Sequence, residues 1–167
     1  MYGAWVVGLL ITLSVIISNI AEKEVEHLNK EVRILADYMV FYHKATMKAC
    51  NNTTICTSSG QVNHSTVMTY MSPLATNALY GAGKIRSYTN GTLVITIYDP
   101  ALRGESFNQG NLAATLVWLT GSEKKSGAYD RSTGQIGSYV GLGAITVPNN
   151  VGGYNVPDGS AIIASGF

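Results

Sequence analysis

Twenty residues without a charge, "MYGAWVVGLLITLSVIISNI", run directly into "AEKEVEHLNKEVRILADYMVFYHKA", and no Gly or Pro interrupts the chain from Ser14 to Ala49. The junction leaves no room for a loop, so the two segments are expected to form one helix. Between Tyr2 and Ile20 such a helix spans roughly 28 Å at ~1.5 Å per residue, close to the hydrocarbon thickness of a bilayer. Trp5, Val6, Val7, Leu9, Leu10, Ile11, Leu13, Val15, Ile16 and Ile17 would face lipid, with Tyr2 and Trp5 at one interface and Asn19, Glu22 and Lys23 at the other. The stretch lacks the basic start, short apolar run and small-residue cleavage site of a signal peptide, so it is expected to stay as an anchor. A buried core helix is the competing reading, although most helices of that length in globular proteins carry a charged face.

Beyond the anchor, Val25, Leu28, Val32, Leu35, Met39, Tyr42, Thr46 and Ala49 repeat with heptad a/d spacing, while Glu22, Glu26, Lys30, Glu31, Arg33 and Asp37 take the other faces. Anchor and seam together would make a rod on the order of 65 Å long. From Met39 onward the seam has two equal candidates for cover, the chain's own C-terminal domain or another helix. Val25, Leu28, Val32, Leu35 and Met39 are the expected partner-binding set, because those nearer the membrane would be out of reach of a head beginning after Ala49. The expected division is a transmembrane segment at 1–21, an amphipathic helix at 22–49 and a head at 50–167.

Two signals conflict over which side of the membrane the head occupies. Lys23, Lys30, Arg33, Lys44 and Lys48 all follow the span, which by the positive-inside rule keeps the head in the cytoplasm. Against this, Cys50 and Cys56 are only six positions apart in "CNNTTIC", a poor zinc arrangement but a feasible disulfide loop in an oxidising compartment. Two free thiols in a reducing cytosol is the alternative. Export is the orientation adopted.

The rest of the chain reads as α+β: a long N-terminal helix, then a small antiparallel sheet with one more helix against it. "CTSSGQVNHST" reads as a loop, and "VMTYMS" and "LATNALY" as short helical turns flanking Pro73. In "KIRSYTNGTLVITIYD", Asn90-Gly91 between β-branched runs predicts a type I′ hairpin with φ > 0 at both residues. "NLAATLVWLTG" has helical spacing closed by Gly121. Two short strands bracket "YDRSTGQIG", and "PDGSAIIAS" is a turn feeding a terminal strand.

Sites for chemistry are scarce. Formal net charge is +1, and no basic run exceeds Lys124-Lys125, so nucleic acid is not expected as a partner. His27, His43 and His64 have no metal-ligand spacing or carboxylate companions, and surface or capping roles are expected of them. "GAGK" at 81–84 puts Ile85 where a phosphate loop needs Ser or Thr, and "GLG" at 141–143 lacks a dinucleotide-site context. No cofactor, metal or catalytic set is expected, and the chain reads as a non-enzyme.

A membrane helix running unbroken into an amphipathic helix and a small disulfide-bearing α+β head resembles the type IV pilin architecture. Those pilins carry Glu at the fifth mature position, where this chain has Trp5. Through its short anchor, "ILADYMVFYHKA", "LVWLTGS" and "VPDGSAIIAS", the chain more closely resembles the PilM-type inner-membrane proteins of the type IVb thin-pilus operons of conjugative plasmids. That resemblance implies a non-enzymatic component of a pilus base or related secretion machine. It would sit in the bacterial inner membrane by a single pass, with the head in the periplasm. Its expected partners are other machine proteins and lipid or neighbouring N-terminal helices, with homo-oligomers possible. A minor pilin in an extracellular filament and a membrane-tethered binding domain are the alternatives.

Overall fold

The computed structural model describes residues 29–72, 84–99, 108–122, 125–137 and 145–167. Residues 1–28, including the expected anchor and both Val25 and Leu28, lie outside them. Among the described residues no helix is long and apolar enough to cross a membrane. Two compact units divide the chain at Val32/Arg33, so the head begins within the first helix and not after it.

That helix, α1, occupies described residues 29–52. Leu35, Met39, Tyr42, Thr46 and Ala49 of the seam are all buried, and so are Ala36, Tyr38, His43 and Ala45. This face is wider than the two-in-seven stripe of a coiled coil and matches a helix packed on its own core. Leu35, at 1% exposure, was expected to lie beyond the head's reach and is instead part of it. Met39 is fully buried and Val32 is buried as well, so these three are not a free partner surface. The expectation failed because it placed the head's boundary at Ala49, whereas the compact unit begins at Arg33, about four helical turns earlier.

The head is α+β, as expected, with a six-stranded antiparallel sheet. Its strands are β1 (Gly60–Gln61), β2 (Ile85–Thr89), β3 (Leu93–Tyr98), β4 (Ser126–Asp130), β5 (Gln135–Gly137) and β8 (Ala161–Gly166), in the order β1-β2-β3-β8-β4-β5. The C-terminal strand β8 thus slots between β3 and β4. It is covered on both sides, which is why "AIIA" reads as a continuous apolar run with no alternation. β6 (Asn150–Val151) and β7 (Tyr154–Asn155) form a separate small hairpin.

Period-2 geometry sorts the strand residues onto two faces. Ser87, Thr96, Ile163 and Ser126 lie in register across four strands on the face that meets α1. The other face carries Tyr88, Leu93, Ile95, Ile97, Tyr129, Ile136, Ile162 and Ala164, closed over by Val147, Val151 and Val156. Tyr154 stacks on Tyr88 there, ring centroids 4.4 Å apart.

Local signals explain most of these elements. Helix α3 (Gln109–Thr120) starts at Asn108, whose side chain accepts from the Gly110 and Asn111 amides, and stops at Gly121 with φ +62°. The segment expected to be loop at 56–66 instead contains β1, the Asn63 cap and the start of α2 (His64–Thr69). "LATNALY" lies outside the described residues. The β2–β3 turn is not type I′. Only Gly91 has positive φ, and the Asn90 side chain accepts from the Thr92 and Leu93 amides, which moves Asn90 out of the turn's centre. Gly-Thr at the central positions, with φ > 0 at the first alone, is the type II′ pattern. Positive φ at both central residues occurs instead at Gly152-Gly153, between β6 and β7. A Cβ on Gly152 would sit 2.5 Å from the Gly60 carbonyl oxygen, so this turn packs against the β1–β2 edge as only glycine allows.

Candidate functional site

Cys50 and Cys56 form a disulfide, as expected from their spacing. It closes the loop that leaves α1, and the Thr89 hydroxyl donates to the Cys56 carbonyl, so the loop is held against β2. A loop this short contributes about 2 kcal/mol in the chain-entropy account.

His43 is buried, contrary to the surface role expected of it. Its Nδ1 lies 2.8 Å from Thr96 Oγ1 and its Nε2 lies 2.9 Å from Ser165 Oγ. The proton positions follow from counting donors. Thr46 donates its only hydroxyl proton to the Tyr42 carbonyl, so the 3.1 Å contact with Ser87 must be donated by Ser87. The 2.7 Å contact between Ser87 and Thr96 must then be donated by Thr96, and Thr96 can only accept from His43. His43 therefore carries its proton on Nδ1, and the bare Nε2 accepts from Ser165. The chain runs Ser165, His43, Thr96, Ser87, Thr46 to a helix carbonyl, every member satisfied and each bond oriented the same way. Burial, and secondarily the positive charge of Lys125, pushes the imidazole down to about 4.

Ser165 and His43 form the floor of a groove of about 600 Å³ between α1, the end of α3 and β8. Lys44 and Lys48 line it from α1, and Lys125 from the segment before β4. Val40, Met47, Leu119 and Ile163 supply apolar wall, and Asn51 and Asn52 close the end near the disulfide. Among the described residues no carboxylate lines the groove. Sequence reasoning missed it because its walls come from three separate segments, in 40–52, 119–125 and 163–165, and no local motif joins them.

The other histidine within the described residues, His64, accepts or donates at 2.9 Å with the Tyr42 hydroxyl and stacks on that ring. Lys84 of "GAGK" is buried, its ammonium 6.0 Å from the Tyr98 ring centre, and residues 81–83 lie outside the described residues. Among the described residues no three His, Cys, Asp or Glu side chains gather as metal ligands. On the surface, Phe41 (55% exposed) and Ile34 lie seven residues apart on α1, and Trp118 is exposed with Arg33 over its ring at 5.1 Å.

Comparison with protein-family models, with curated proteins and with solved structures finds no match to this chain.

Proposed function

We propose that the chain is a non-enzymatic, membrane-anchored component of a type IV (thin) pilus or related secretion assembly. In this reading it acts at the pilus base through helix-mediated contacts, with its head on the periplasmic side of a bacterial inner membrane. The observation that carries the reading is the Cys50–Cys56 disulfide at the end of α1. Such a bond persists in oxidising compartments, so it favours an exported head, and it ties the end of α1 to the segment that Thr89 holds against β2. The uncharged N-terminal stretch supplies the anchor. Val25 and Leu28 then remain as the partner-binding part of the seam, because the positions from Leu35 onward are engaged inside the head. Ile34 and Phe41 are exposed apolar residues seven positions apart on α1.

The test is to change Val25 and Leu28 to Lys together and follow pilus assembly and co-purification of the other machine proteins. Each apolar side chain covered by a partner is worth roughly 1.5 to 3 kcal/mol, so losing two abolishes a typical transient association. The expected result is loss of assembly with the disulfide still closed. Normal assembly from the double variant contradicts the helix-mediated reading.

A further inference from the structure

The groove above His43 combines three features that no part of the anchoring role requires: volume, charge of one sign among the described residues and a directed proton chain at its floor. Its 600 Å³ falls within the range of small-molecule sites. Lys44 and Lys48 are one helical turn apart, a like-charge spacing that costs stability on an isolated helix, and Lys125 brings a third ammonium from a different segment. The α1 C-terminus offsets the first two through its dipole but gives no reason for the third. Beside these charges lie Val40, Met47, Leu119 and Ile163. We propose that the groove binds an organic anion, its phosphate or carboxylate among Lys44, Lys48 and Lys125 and its apolar part against Met47, Leu119 and Ile163.

The floor gives this site a coupling to pH. With Nε2 unprotonated, Ser165 donates its hydroxyl proton to His43 and has none to offer an anion. A proton added to Nε2 reverses that bond: the imidazolium donates to Ser165, and the Ser165 hydroxyl turns to donate to the anion. The Nδ1 side of the chain keeps its direction throughout, since Nδ1–H donates to Thr96 in either state. Among the described residues, the charged groups that line the groove with His43 are Lys44 and Lys48 from α1 and Lys125 before β4, while β3 and β8 bring hydroxyls. All three oppose protonation of His43, and a bound anion offsets them. Anion binding and His43 protonation therefore favour one another, by the same factor in each direction.

The full chain in neutral detergent, labelled at histidine, reports on this directly by NMR, with hexyl phosphate, inorganic phosphate and hexanol as probes. Hexyl phosphate is expected to move the His43 ring signals saturably with a dissociation constant below about 1 mM, with inorganic phosphate about tenfold weaker and hexanol without effect. Affinity rises as pH falls from 7 toward 5, and the bound state titrates at higher pH than the free one. Lys125→Gln and, separately, Lys48→Gln weaken binding about tenfold, while Arg131→Gln on the far turn leaves it unchanged. Embedding the chain in phosphatidylglycerol bilayers distinguishes sources. Movement of the His43 signals there, absent in phosphatidylcholine, identifies a lipid headgroup, and movement only with hexyl phosphate identifies a diffusible ligand. Either supports the site. A folded chain whose His43 signals respond to neither source, or respond equally in both lysine variants, overturns it. Failure here leaves the pilus reading untouched, since that rests on the helix and not on the groove.

Discussion

Ile162 and Ile163 are consecutive residues of one strand, both buried, and they face two different kinds of interior. Ile162 points into the cluster of Ile95, Ile97, Tyr129 and Ile136, closed by valines from the C-terminal loops. Ile163 points the other way, onto the wall of the lysine groove, in register with Thr96 and Ser126. The first face is a packed apolar core whose strength comes from area and close contact. The second meets the buried apolar face of α1 and adds directional bonds among Thr46, Ser87, Thr96, His43 and Ser165. Apolar packing tolerates small slides of one layer on another, whereas a chain of hydroxyls with only one consistent proton order does not. The polar chain thus sets the position of α1 on the sheet, while the dry face carries much of the head's cohesion.

The largest effect should come from the dry face. Ile162→Ala removes three carbons from a fully buried site and should cost about 4 kcal/mol, with little change between pH 5 and 7. Denaturant melts at several pH values would check both parts. If the loss depended strongly on pH, the division between faces would fail.

Acid should act on the other face. The folded-state pKa of His43 lies below its ordinary 6.5, so the unfolded chain binds more protons between 6.5 and about 4. Stability from the neutral imidazole is therefore complete above 6.5 and falls as pH drops through that window, by on the order of 3 kcal/mol in total. His43→Gln should flatten this part of the stability curve, read from urea midpoints across the same pH range.

A smaller loss is expected from Thr96→Val, which keeps shape and deletes the central hydroxyl. It leaves the His43 Nδ1–H without its acceptor and Ser87 without its donor, at about 2 kcal/mol. The dry face should be unaffected, so amide exchange in β4 and β5 should change less than in α1. Equal loosening of both faces would show that the polar chain does not specifically seat the helix.

The sequence revealed the elements whose causes are local. α3 was legible from its apolar spacing and Gly121, the β4–β5 pair from the turn residues between them, and the disulfide from a six-residue separation. Gly152-Gly153 carried a recognisable turn signal, but two-residue strands offer no alternation to support it. The β2–β3 turn was misassigned by one residue because the Asn90 side chain competes for the turn amides, a choice the dipeptide alone does not reveal. His43 and the groove were invisible for another reason. Their meaning depends on Thr96, Lys125 and Ser165, brought together only by the insertion of β8 beside β3. The same long-range assembly extended the head back to Arg33 and enclosed Leu35.

The proton order of the polar chain is the claim on which the helix-side account depends, and the side-chain resonances of His43 in the full-length protein test it most directly. The account predicts an Nδ1–H imidazole at neutral pH that titrates only near 4. A His43 that titrates at its ordinary 6.5, or that carries its proton on Nε2, would contradict it.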